Sequence, residues 1–274
     1  ALVNLYGQQA RRTISRVTLA GGLASALFWP LGAFLLTMMS WREALLVYAL
    51  LGLFSALLLW RMPNARRPAA IRPEAHRPAS RQQRQVALLY AALIALVTFV
   101  SNGTSTHLPE FIAHYGLPVA AGMLWGIGQT GARFLEVASG SVLTPLRLTL
   151  LTTLLMPVCF ALGLSGPYLL GTAGGFVLGY GAINGLTTVF KATLPLELFA
   201  AEDYARRTGI LLIPAQLLAA ASPFAYAWLT QQFGVQGSLG FSAALTLVVA
   251  GLALAIARSQ SRRPPETMPA AIDS

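Results

Sequence analysis

The sequence predicts an all-α polytopic membrane protein of eight transmembrane helices, on three observations. Hydrophobic residues make up 55% of the chain and charged residues only 10%, against roughly 25% charged in soluble domains. Eight apolar stretches approach or pass the roughly 20 residues that cover about 30 Å of hydrocarbon. Arginine and lysine gather on one side of those stretches. A water-soluble chain of 274 residues could not cover so much apolar surface, so composition excludes a soluble domain. Lipid-exposed backbone must satisfy its own hydrogen bonds, and no segment shows the alternation over about ten residues that marks barrel strands. The spans are therefore helices.

Taken in order, the first span covers about residues 17–39 and opens on Gly21, Gly22, Ala24 and Ser25. The second covers about 43–62. Residues 63–85 (PNARRPAAIRPEAHRPASRQQRQ) are rich in Pro and Arg and nearly free of large apolar side chains. Such a stretch cannot build a core, and a mobile cytoplasmic linker is expected. The third span, about 86–106, collects Thr98, Ser101, Asn102 and Thr104 in one half. The fourth, about 117–138, is striped by Gly122, Gly126, Gly128 and Gly131. The fifth, about 143–164, holds the lone cysteine, Cys159, expected to pack as a small hydrophobe. The sixth, about 167–190, carries Gly171, Gly174, Gly175, Gly179, Gly181 and Gly185. The seventh and eighth cover about 208–231 and 237–257, and residues 259–274 are expected to be a disordered cytoplasmic tail. The short connections make sequential helices antiparallel neighbours.

Numbering the gaps alternately from the inside places nearly every cation within. The inside gaps take Arg11, Arg12 and Arg16, the Arg61–Arg84 run, Arg133 and Arg147, Lys191, Arg206 and Arg207, and Arg258, Arg262 and Arg263. Only Arg42 falls outside. Cytoplasmic connections carry the excess of Lys and Arg, so both ends and the linker are expected in the cytoplasm. A net charge of +10 raises the question of nucleic acid. The cations sit at helix ends without aromatic interleaving, so no nucleic acid is expected. Anionic lipid of the bilayer is the expected partner instead.

Small residues let helices approach closely in lipid. Gly122 with Gly126, Gly171 with Gly175, and Gly181 with Gly185 each form a GxxxG spacing. Prolines within spans free a carbonyl and permit a bend. Gly122, Gly126, Gly131, Pro30, Pro214 and Pro223 are accordingly the candidate packing and gating positions.

Two stretches carry a family resemblance. The pattern RRxISxxTLxGGLASxxFWPLG…SWREALLVYALL, from Arg11 to Leu51, resembles the fifth helix, outer turn and sixth helix of the major facilitator superfamily. GMLWGIGQTGARFLE (Gly122–Glu136) is similar to that family's glycine-striped eighth helix, and Leu194–Leu229 resembles its turn and eleventh helix. Pro30 and Gly32 are similar to the family's glycine–proline motif, with Trp29 where the motif has glycine. The resemblance implies an MFS-like bundle and divides the chain. Residues 1–62 would end an N-terminal bundle with two helices, and residues 86–258 would form the C-terminal six-helix bundle. The chain begins at Ala1 and is expected to be a piece covering the fifth to twelfth helices, inactive when expressed alone. The resemblance also implies secondary transport by alternating access, with cargo bound near mid-membrane.

Ionisable and polar groups inside lipid are costly and mark candidate sites. Arg133 would meet an anionic substrate, with Gln129 one turn away on the same face. Alternatively it pairs with Glu136 or caps helix carbonyls. In monocarboxylate-type members of the family an acidic residue precedes such an arginine by one turn, where this chain has Gln129. Asn102, Tyr180, Asn184 and Gln216 are the uncharged polar candidates, for lining a wet cavity or for bonding between helices. Trp29 and Trp125 suit a cavity wall or plain packing. Asn102-Gly103-Thr104 reads as a glycosylation sequon but lies in or at the edge of a span. His107, Glu110 and His114 cluster at an outer turn with Tyr115, where a titrating pair would sense or accept protons.

The expected function is secondary active transport of a small organic solute, a carboxylate or a drug-like efflux substrate. A coupling proton or ion is a further expected partner. No cofactor, metal or catalytic residue is expected, and the chain reads as no enzyme: no span holds a histidine for a serine protease, and carboxylate or His clusters for a metal are missing. A non-transporting membrane sensor or scaffold is the alternative. High Ala, Leu and Arg usage points to a bacterial inner membrane.

Overall fold

The computed structural model describes residues 27–28, 31–32, 34–61, 81–139, 142–166, 171–199 and 204–261. Of the first expected span, residues 34–38 are helical, and most of the remainder lies outside the described residues. Helix α1, Trp41–Trp60, starts on a capping box. Ser40 accepts from the Glu43 amide at 3.5 Å, and Glu43 accepts from the Ser40 amide at 2.8 Å. Two of the donors that a helix start leaves unmatched are thus satisfied. Of α1 only Ala44 is buried, while leucines along its length and Trp60 are exposed. Its apolar surface faces outward nearly all round, as a lipid-facing helix requires.

Helix α2, Arg81–His114, is longer at both ends than the expected third span. The last five residues of the expected linker are its opening turn, because Arg and Gln are good helix formers. Gln82 also anchors that turn by donating to the Ser259 carbonyl at 3.1 Å. The rest of the linker lies outside the described residues. The far end closes on Gly116 at φ +67. There the Leu117 amide reaches the Ile112 carbonyl at 3.1 Å and the Gly116 amide reaches Ala113 at 2.9 Å. This is a Schellman cap, which needs the left-handed conformation glycine adopts freely. A 3₁₀ turn, Val119–Ala121, leads into α3, Gly122–Ala138. Helices α4, Pro145–Ser165, and α5, Thr172–Leu198, follow. Their partnership is antiparallel along its whole length. Leu146 at one end bonds Glu197, and Phe160 at the other packs on Phe176.

After the short α6, Tyr204–Leu211, the last element, α7, runs Ile213–Ser261. A straight helix of 49 residues would span about 73 Å, more than twice the hydrocarbon. It is not straight. Gly234 breaks it at φ 68, ψ −179. The Tyr226 and Ser242 hydroxyls, 16 residues apart, lie 2.6 Å from each other, where continuous helix would hold them about 24 Å apart. The chain therefore turns back at Gly234, and the two halves of α7 are the seventh and eighth expected spans. Among the described residues, four helices are long and apolar enough to cross a membrane: α1, α2, α4 and the stretch Thr208–Ser261 that contains both halves of α7.

Packing follows small residues. The second half of α7 buries Ser238, Ser242, Thr246, Ala250 and Ala253 at helical spacing, and α2 lies along α7. Helix α3 lies along α5 in parallel, and α4 bridges α5 and α7. The α3–α5 crossing is close enough that a Cβ on Gly128 would meet the Leu178 carbonyl, and one on Gly181 the Trp125 carbonyl. A Cβ on Gly185 would sit 2.5 Å from the Gln129 carbonyl. The Gly181–Gly185 spacing is thus an interface, with Gly122 and Gly126 buried on the partner. Gly131 is exposed with open space around it, as are Gly171 and Gly175.

Replacing Gly181 with valine should force α3 from α5 at a cost of about 1–3 kcal/mol, while Gly131→Ala should cost nothing. Thermal unfolding of the two purified variants beside the parent checks this. Equal midpoints for all three would refute the close crossing.

Candidate functional site

The α3 crossing sets the geometry of the candidate site. Close approach of two backbones in lipid needs glycine on one side, and the residues opposite are then fixed in place. Trp125, Gln129 and Arg133 follow one another at four-residue intervals, so they share a face of α3, and the Trp125 and Gln129 backbones lie against α5. Gln129 is 4% exposed and Arg133 6%. Arg133 donates from Nε to the Gly185 carbonyl at 3.2 Å, and Thr188 donates to the same oxygen at 2.7 Å. The guanidinium thereby caps a carbonyl of the neighbouring helix, one of the two roles the sequence left open. Glu136, 7% exposed, lies one turn further on.

On the same face of α3, one and two turns before this cation, are two buried polar atoms without a protein partner, Gln129 Oε1 and Trp125 Nε1. Buried polar atoms in native structures are nearly always bonded to protein or ordered water. An acceptor and a donor one turn apart, on the face that carries a buried guanidinium, are left for ordered water or a small polar ligand to satisfy.

A second polar group lies between α2 and α5. Tyr180, fully buried, donates to the Ser101 carbonyl at 2.8 Å and lies 3.2 Å from the Ser105 hydroxyl. Its ring packs on Phe160 and Phe176, so both of the tyrosine's properties, apolar body and polar tip, are used. Sequence reading singled out Tyr180 but missed Ser105, whose pairing depends on the α2–α5 register. The other expected residues are more scattered. Asn184 is half-buried, one turn beyond Tyr180. Asn102 and Gln216 are exposed on the bundle surface, although Gly103 and Thr104 beside Asn102 are buried, with the Tyr226 ring over Gly103. A helical sequon packed this way is no acceptor loop. Pro214 falls in the first turn of α7, where no intrahelical donor is lost. Pro223 lies inside α7, and Ser222 donates to the Ala219 carbonyl it frees, at 2.9 Å. Trp29 and Pro30 lie outside the described residues. Cys159 is buried, with its thiol 3.6 Å from the Phe176 carbonyl, a packed side chain in a crowded core.

These features define a class: an all-α polytopic membrane protein with a polar and cationic face buried between closely packed helices. A protein-family model described as Major Facilitator Superfamily matches residues 2–194, and the chain belongs to that superfamily, a family of membrane transporters. The match ends within α5, ahead of α6 and α7. No match to a curated protein accompanies it.

Tyr180→Phe should remove the bond to the Ser101 carbonyl and lower stability by about 0.5–1.5 kcal/mol. The measurement is thermal unfolding together with amide exchange across residues 98–105, which should speed up only in the variant. Unchanged exchange there would count against a central role for the tyrosine.

Proposed function

We propose that the chain serves secondary active transport of a small organic solute by alternating access, with carboxylates the cargo class the site favours. The observation that carries this reading is the buried α3 face, where Arg133 is held against α5 and the Gln129 amide oxygen and Trp125 indole N–H, one and two turns away on the same face, have no protein partner. A buried guanidinium inside a membrane bundle is costly to keep. It repays that cost where an anion binds, since a charge-assisted bond is about twice as strong as a neutral one. The half-buried Asn184 and buried Tyr180 extend the same polar interior. Drug-like efflux molecules are the second cargo class, met by the aromatic Trp125. A proton or another ion supplies the coupling, and substrate and ion drive the cycle by binding its two end states unequally.

Orientation follows from charge. Gln82 meets Ser259, next to Arg258, and Glu197 meets Leu146, next to Arg147. Arg84, Arg147 and Arg258 thus belong to one end of the bundle, which supports placing that end, the 63–85 linker and both termini in the cytoplasm. The membrane is a bacterial inner membrane. In the proposed division, residues 1–62 belong with an N-terminal bundle, 86–258 form the C-terminal one, and 259–274 are a cytoplasmic tail.

Flux into proteoliposomes carrying the full-length protein tests the reading. Arg133→Gln should cut carboxylate uptake about 10–100-fold, the worth of one charge-assisted bond, and leave neutral solutes unaffected. Absence of gradient-driven flux across a broad solute panel would sink the proposal. Orientation has its own check: impermeant thiol reagents applied outside intact cells should miss a cysteine engineered at position 70 and label one at the exposed position 119.

A further inference from the structure

At the end of the bundle away from Arg84 and Arg258, one histidine uses both ring nitrogens. His107 on α2 has Nδ1 at 2.9 Å from a Glu110 carboxylate oxygen and Nε2 at 3.1 Å from the Pro223 carbonyl of α7. Its ring stacks on Tyr226, with centroids 6.3 Å apart and planes at 22°. A carbonyl oxygen can only accept, so Nε2 must carry a hydrogen. A neutral imidazole has just one, which leaves Nδ1 a bare acceptor facing the carboxylate. Both bonds coexist only when a further proton lies between Nδ1 and Glu110. That proton makes the pair either imidazolium with carboxylate or neutral imidazole with carboxylic acid.

We propose that His107 and Glu110 form a one-proton clamp that ties α2 to the first half of α7 at Pro223, and that the tie opens when the proton leaves. Once it has gone, the ring has a single hydrogen for two acceptors. The charged carboxylate is the stronger acceptor, so the ring turns its one hydrogen to Glu110 and releases the Pro223 carbonyl of α7. The surroundings present few competing charges. From α2 the titratable neighbours are Glu110, His114 one turn on, with its ring on Tyr115, and Tyr115, which donates to the Gly163 carbonyl. From α7 there is Tyr226, its hydroxyl 2.6 Å from Ser242. From α5 there is Tyr180, which is committed to Ser101. The one charged residue of α7, Arg258, stands in its last turn. Acid supplies the shared proton and alkali withdraws it, so acid favours the closed clamp and alkali the open one.

The discriminating variant is Glu110→Gln. An amide donates to Nδ1 while Nε2 still donates to Pro223, so the clamp stays closed without the extra proton. Amide hydrogen exchange is followed by mass spectrometry over residues 219–227, with the full chain in lipid nanodiscs at about pH 5 and about pH 8.5. The ratio of wild type to Glu110→Gln at each pH cancels the chemistry of exchange itself. The expected ratio is near one in acid, and in alkali the wild type exchanges about fivefold faster, the factor one hydrogen bond is worth. A ratio that does not change with pH overturns the clamp. Should Glu110→Gln fail to fold, His107→Gln takes its place. Its exchange must then match the open wild type at both pH values, and wild-type-like protection in acid overturns the proposal. What the clamp means for cargo movement rests on the transporter reading above. The exchange measurement needs no flux, so either can fail without the other.

Discussion

Hydrocarbon offers no water to the backbone, and that constraint governs this molecule. Every amide and carbonyl that leaves the regular helix ladder must find a partner inside the protein. Pro195 lacks an N–H and so frees the Lys191 carbonyl, and the Tyr90 hydroxyl comes across from α2 to within 3.5 Å of it. Pro223 frees the Ala219 carbonyl, met by Ser222 in the same turn. On α4 the buried Thr149, Thr152 and Thr153 bond back to carbonyls of their own helix at 2.7–2.8 Å, the usual way a hydroxyl settles in an apolar helix. At its start, Thr144 accepts from the Arg147 amide and Glu197 of α5 from the Leu146 amide. An anion at a helix N-terminus is also favoured by the helix dipole.

The same constraint explains why the candidate site lies where α3 crosses α5. Two helices gain nothing from hydrophobic attraction in lipid, so contact must come from backbone proximity. Gly128, Gly181 and Gly185 supply it. Proximity then brings the Gly185 carbonyl within reach of Arg133, which donates to it from Nε.

Much of this was legible in the sequence, for physical reasons. Span positions follow from the length of apolar runs, and the reversal between the seventh and eighth spans from a short break that contains Gly234. Burial of Gln129, Arg133 and Tyr180 was foreseeable because polar groups in a span rarely face lipid. Other features were hidden because they depend on helix rotation and register. Gly131 shares a helix and a spacing with Gly128, yet it points away from α5 and contributes no contact. Asn102 and Gln216 look like Asn184 in sequence, but they are exposed where Asn184 is half-buried. The extension of α2 to Arg81 was masked by composition, since a polar, basic start reads as linker until Ser259 appears opposite Gln82. The double use of His107 was out of sight because Pro223 is 116 residues distant.

How the helices are tied has a further consequence for the interior. Helix α2 is pinned to α7 near both ends, by Gln82 at Ser259 and by His107 at Pro223, with Tyr226 laid over Gly103 between them. Helices α3 and α5 are joined by their glycines, and α4 bridges the two pairs. Between α2 and α5 themselves the ties are of another kind: the Tyr180 hydroxyl at Ser101 and Ser105, and the Tyr90 hydroxyl at Lys191. Thr98 and Ser101 line the same stretch of α2 with buried hydroxyls that have no protein partner. A seam held by a few hydroxyls and thinly packed parts at lower cost than one held by interlocked backbone. The hydroxyl-lined part of the interior and a thinly joined seam are therefore the same place.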